Sequence, residues 1–218
     1  MSAMRRISFL SLLALSAALA GCGSSPPVRF YTLQPAPQAA PANVPRVDYQ
    51  IELAPVTVPQ QADQPQIMLR EGQNNGALTP LYSDRWSASL GNEIGSALTD
   101  TLTRTLGALN VQTLSPAKDI PVWRIQVDVQ RFDMVEGGPA RLDATWRVRP
   151  INVKNGRALI CGSVVQVPAD QINVVGSLVH AQQQAVVLLA DTIASAIQSG
   201  GARATPASGQ VQLLGCAQ

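Results

Sequence analysis

Trp123-Arg124-Ile125-Gln126-Val127-Asp128-Val129-Gln130-Arg131-Phe132 sets Trp123, Ile125, Val127 and Val129 on one parity and Arg124, Gln126, Asp128 and Gln130 on the other. Successive side chains of a strand point to opposite faces, so this spacing predicts a half-buried antiparallel strand. The pattern returns in Ala140 to Arg149, where Leu142, Ala144, Trp146 and Val148 are in phase, and a third strand is expected from Ala158 to Val167. Asp133 to Pro139, with Gly137-Gly138-Pro139, turns the chain after the first strand. Lys154-Asn155-Gly156-Arg157 is a hairpin signal after the second. Three consecutive antiparallel strands therefore make the middle of a sheet.

Outward from this meander, Leu90, Ile94, Leu98, Leu102 and Leu106 recur every fourth residue, with Trp86 before them and Leu109 after. That stripe predicts a helix from about Arg85 to Leu109, capped by Ser83 or Asp84. A second amphipathic helix is expected over 176–198, with Leu178, Ala181, Ala185, Leu188 or Leu189, Thr192, Ile193, Ala196 and Ile197 on one side. Gly200-Gly201 is its natural stop. Shorter strands are expected over 28–33, 47–58, 66–71 and 111–114, with an extended run from Ala77 to Leu81. Gln34 to Pro45 carries four prolines and reads as a non-helical connection, and Gln73-Asn74-Asn75-Gly76 as a turn. Ala202 to Gln210 reads as a linker, followed by a short strand or arm, Val211 to Leu214. The expected fold is of the α/β class: a single domain with a mixed β-sheet containing an antiparallel meander, packed by two long amphipathic helices.

The N-terminus has a different character. Met1 to Arg6 is a short basic region, Ile7 to Leu19 is apolar apart from serines, and Leu19-Ala20-Gly21-Cys22 follows at once. This is a secretory signal, too short to span a bilayer as a stable anchor. Its end resembles the lipobox of bacterial lipoproteins, in which small residues admit the backbone to a peptidase. The Cys22 thiol is then the acceptor of a diacylglycerol group, an N-acyl diacylglycerol lipid and no other cofactor being expected. Each buried methylene adds roughly 0.8 kcal/mol of membrane affinity, so a three-chain anchor is effectively permanent. Gly23 and Ser24 are not the aspartate common in lipoproteins retained at the inner membrane, so an outer-membrane address facing the periplasm is expected. The resulting divisions are 1–21 signal peptide, 22–27 lipidated tether, 28–200 α/β domain and 201–218 C-terminal linker and arm.

The whole chain of 218 residues is 46% hydrophobic and 14% charged, the composition of a globular protein. Removing Arg5 and Arg6 with the signal leaves 14 basic against 14 acidic residues. A neutral surface without charge runs argues against nucleic acid as a partner. Once Cys22 is lipidated, Cys161 and Cys216 are the two thiols left in an oxidising compartment, and a disulfide between them is expected. The alternative is a buried Cys161 and a free Cys216 in the tail. One histidine and no CxxC or HxxxH spacing leave no metal site. No GxSxG, phosphate loop or SxxK motif is present, so no catalytic residue is assigned. His180 lies on the second helix as a surface or boundary residue. Asp128, Asp133, Glu136 and Asp143 cluster around one hairpin, where cross-strand pairing with Arg141, Arg147 and Arg149 accounts for them.

Taken together, the lipobox, Phe30-Tyr31-Thr32-Leu33, Pro65-Gln66-Ile67, Arg85-Trp86, Phe132-Asp133 with Gly137-Gly138, Ala144-x-Trp146 and Leu178-Val179-x-Ala181 resemble the PqiC-like family of ABC-type transport auxiliary lipoproteins. The resemblance runs to about Gly200. It implies an α/β fold and a non-enzymatic place in a periplasm-spanning lipid-transport system, where an inner-membrane MCE-domain protein meets an outer-membrane lipoprotein. A docking component is the favoured reading, and a lipid-binding carrier with an apolar cavity is the alternative. The expected contact with the MCE-domain partner, or with another copy of the chain, is Met134-Val135, apolar residues at a polar turn. The competing expectation is that this pair folds back on a neighbouring loop.

Overall fold

The computed structural model describes residues 26–36, 47–72, 76–114, 119–170 and 174–218; the signal segment, Cys22, most of the proline-rich connection and Gln73-Asn74-Asn75 lie outside them. In chain order the described elements are β1 (Arg29–Tyr31), β2 (Gln50–Leu53), β3 (Gln66–Arg70), β4 (Leu78–Trp86), α1 (Leu90–Leu106), β5 (Val122–Val135), β6 (Ala140–Ile151), β7 (Leu159–Val167), α2 (Val174–Gln198) and β8 (Val211–Ala217). They form one mixed sheet of eight strands in the order β1-β4-β3-β5-β6-β7-β8, with β2 also paired to β5. The α/β class and the central meander are as the sequence implies.

Buried residues face each other across the meander. Ile125 lies opposite Val148, Val127 opposite Trp146 and Val129 opposite Ala144, and β7 continues the rows with Leu159, Cys161 and Val165. α2 lies across β5, β6 and β7, and α1 packs beside α2 and against β2. The free edge of β5 is shared: β2 runs parallel along Val122 to Ile125, and β3 runs parallel at Met134 and Val135.

Three elements differ from the sequence reading. Arg85 and Trp86 belong to β4, not to α1, because β1 pairs in parallel with Asp84, Arg85 and Trp86. α1 begins after Ser89 and ends at Gly107, a left-handed C-cap whose N–H donates to the Thr103 carbonyl. Trp86 keeps its place in the core from a strand, since the inward side of β4 continues the stripe that α1 takes up four residues later. No strand forms over 111–114; Asn110 makes a single bridge to Ile51 instead. The stretch from Ala202 to Gln210, read as a linker, is strapped to α2: Ser199 Oγ donates to the Arg203 carbonyl, Ser195 Oγ accepts from the Thr205 N–H, and Thr192 Oγ1 accepts from the Ala207 N–H. This strap and α1 cover two flanks of α2, which is why its buried face is wider than one stripe.

The end of α2 is set by its two glycines. Gly200 and Gly201 have φ of 68° and 78°, and Gly201 N–H donates to the Ala196 carbonyl. A Cβ on Gly201 would lie 1.8 Å from the Arg157 carbonyl oxygen, whereas one on Gly200 would meet nothing within 4 Å. Gly200→Ala is therefore expected to cost about 1–2 kcal/mol, the left-handed backbone penalty alone. Gly201→Ala is expected to cost at least twice as much, because the β6–β7 turn must also move; equal shifts in the denaturant midpoint would refute the assignment.

Candidate functional site

The start of the domain is built from long-range polar contacts. β1 is a short edge strand, and its alternation sends Arg29 and Tyr31 to one side and Phe30 to the other. Arg29 Nε donates to Asp84 Oδ1 at 2.8 Å, and that hydrogen bond raises the Arg29 pKa above its ordinary value. Burial, and then a hydrogen bond with Asp84, raises the Tyr31 pKa. Immediately beyond, Glu93 in the first turn of α1 is buried and accepts three hydrogen bonds: from Thr32 Oγ1 at 2.7 Å, Leu33 N–H at 2.8 Å and Ser87 Oγ at 2.5 Å. The Gln183 side chain of α2 donates to the Thr32 carbonyl. One carboxylate thus fastens the entering chain to the β4–α1 junction. The sequence signal for it is faint: an acid near a helix start, where the dipole favours it.

Met134 and Val135 are not at an exposed tip. They end β5 and are 1% and 7% exposed, which corrects the expectation of a partner contact there. The register slips between Val129 and Arg131. That bulge inverts the parity of the strand, so that Phe132 and Met134 follow Ile125, Val127 and Val129 into the core. The turn proper is shorter, Glu136 to Pro139.

The nearby acids are paired, and only in part across the strands as expected: Arg141 stands opposite Asp133. Asp133, itself buried, accepts from Arg70 at 2.8 Å and from Arg131. Arg141 forms a two-pronged pair with Asp143 of its own strand at 2.8 and 2.9 Å, and this raises the Arg141 pKa. Asp128 is bonded to Thr57. Arg147 and Arg149 stand opposite Gln126 and Arg124, not opposite acids. Arg124 is satisfied instead by Glu52 of β2.

At the other edge, Cys161 and Cys216 are directly opposed on β7 and β8 and joined by a disulfide, with Cα atoms 4.1 Å apart. The bond fixes the last strand to the sheet. His180 is exposed and lies 3.1 Å from the Gln184 amide. Among the described residues no group of His, Cys, Asp and Glu is arranged to hold a metal ion, and no helix is long and apolar enough to cross a membrane. A groove of about 610 Å³ lies along Gly137, Pro139, Val164, Gln166, Ala169 and Gln212, and its lining contains no ionisable residue.

This is a sheet-and-two-helix domain whose polar groups serve to fasten chain segments. The chain belongs to the family of ABC-type transport auxiliary lipoprotein components, which matches residues 31–194. Two solved structures are similar. One is described as an uncharacterized protein (TM-score 0.61, 12% identity, covering 79% of this chain and 99% of that one). The other is a Xanthomonas campestris protein of the DUF330 family (TM-score 0.57, 15% identity, covering 80% and 97%). Both share the fold. No curated protein matches the chain at a significant level.

Two outcomes test these placements. Met134→Asp is expected to destabilise the domain by more than about 3 kcal/mol, since it buries an unpaired carboxylate; an unchanged melting transition would return Met134 to the surface. Non-reducing peptide mapping of the native protein is expected to find Cys161 linked to Cys216. Closing a loop with a sequence separation of 55 residues stabilises by about 4 kcal/mol on the chain-entropy estimate, so Cys216→Ser should lower the denaturant midpoint accordingly.

Proposed function

We propose that the protein is a non-enzymatic docking component, anchored to the outer membrane by lipid on Cys22 and facing the periplasm, in an intermembrane lipid-transport system whose inner-membrane partner is an MCE-domain protein. Membership of a transport auxiliary lipoprotein family supports it. The observation that carries it is the fixed start of the domain: seven residues after Cys22 the chain is already paired to β4, and Glu93 holds it three and four residues further on. A domain so closely tied to its lipid serves as a platform at the membrane rather than as a carrier that crosses the periplasm.

Cys22→Ala is expected to release the protein into the soluble periplasm, and density separation of membranes from the unaltered strain should place the protein with the outer membrane. Purification of the lipidated protein from its own membranes is expected to bring down an MCE-domain protein without stoichiometric transported lipid. Stoichiometric lipid without a protein partner would instead favour a lipid carrier, and an unreleased Cys22→Ala protein would mean that another element anchors the chain.

A further inference from the structure

Most large apolar side chains of the described residues are buried, and three of the exceptions belong to one corner of the sheet. Val28 is 44% exposed, Phe30 66% and Tyr82 73%. Phe30 lies opposite Arg85 in the β1–β4 register, and Tyr82 is three residues back along β4, within about 11 Å of Arg85 even with that stretch fully extended. The register of β4 against β3 jumps from Arg85–Gln66 to Leu81–Ile67, so Tyr82 sits in a bulged segment without a partner on β3. Tyr31, next to Phe30, packs against the core. The corner is therefore held by its inward residues while Val28, Phe30 and Tyr82 stay exposed.

What lies nearest to these residues is the lipid. Val28 is six residues and Phe30 eight residues after Cys22, and at full extension those spans reach about 22 Å and 29 Å. An acylated Cys22 sits at the bilayer surface, so the tether keeps the corner within that distance of the headgroups, where even weak contacts are favoured by effective concentration. Tyrosine and phenylalanine beside arginine, with an apolar body and polar neighbours, suit that boundary. Arg85, opposite Phe30 in the register, supplies a cation at the level of lipid phosphates.

We propose that Val28, Phe30 and Tyr82 form a membrane-contact corner that rests in the headgroup region of the bilayer carrying the Cys22 anchor, and so orients the domain. This rests on the lipid anchor of the proposed function. α1 starts beside this corner, where Ser87 N–H donates to the Tyr31 carbonyl, and its 17 residues carry the chain about 25 Å away. Leu109, 70% exposed, lies past that far end and points the opposite end of the domain toward the periplasm.

The test uses the full lipidated chain in vesicles of phosphatidylethanolamine and phosphatidylglycerol with brominated acyl chains. Trp86, Trp123 and Trp146 are buried, so an indole added by Phe30→Trp is read against a solvent-shielded background. The added emission is expected to be blue-shifted and quenched by brominated lipid, while that added by Leu109→Trp is neither. Protein that floats with the vesicles but whose residue-30 indole is unquenched overturns the corner and leaves the anchor standing. If that unquenched indole is also shielded from acrylamide, another copy or a partner protein covers the surface, and the proposal fails equally. Equal quenching at both positions overturns a fixed orientation. Protein that does not float removes the anchor and the corner together.

Discussion

Everything in this fold hangs on a single strand having to serve three neighbours. β5 is fourteen residues long, with β6 along one edge and β2 and β3 in succession along the other. A strand of that length in a twisted sheet does not keep a strict alternation facing one helical layer. The bulge between Val129 and Arg131 resolves this by exchanging the two faces, so that the apolar half of the strand is odd-numbered before it and even-numbered after it. The exchange also places Asp133 where Arg70 of β3 and Arg131 reach it. The last turn of the meander is thus tied to β3, and through β3 and β4 to the edge where the chain enters.

The parts of the structure legible in the sequence are those with an uninterrupted period. Trp123 to Val129, Leu142 to Val148 and the leucine stripe of α1 each repeat without a break, and each was assignable from spacing alone. The bulge leaves no mark in composition, and so Met134 and Val135 read as turn residues although they are core. Trp86 misled for the opposite reason: it sits one helical period before Leu90, yet β1 claims it for a strand. Parallel pairings such as β1 with β4 and β2 with β5 join distant segments, and no local pattern announces them. The opposed cysteines needed no geometry, only compartment and number.

Glu93 belongs to the features that sequence patterns underdetermine. It lies four residues after Ser89, outside the spacing of a capping box, and reaches out of its own helix to Thr32, Leu33 and Ser87. Its partners are all neutral donors. A buried carboxylate satisfied in this way holds direction as well as distance, since each hydrogen bond has its own angle. The arginine pairs elsewhere are more exposed, and the sheet's outer face spends them on register rather than on chemistry.

The latch also has a cost in chain entropy. Residues 29–33 find their partners 55 positions away at Asp84, 60 and 61 away at Glu93, and 151 away at Gln183. Each such contact closes a long loop, and the entropy of that closure must be met before the contact contributes. The entering chain is therefore held by the assembled sheet and helices and not by its own sequence neighbours: it has a place only once β4, α1 and α2 supply one.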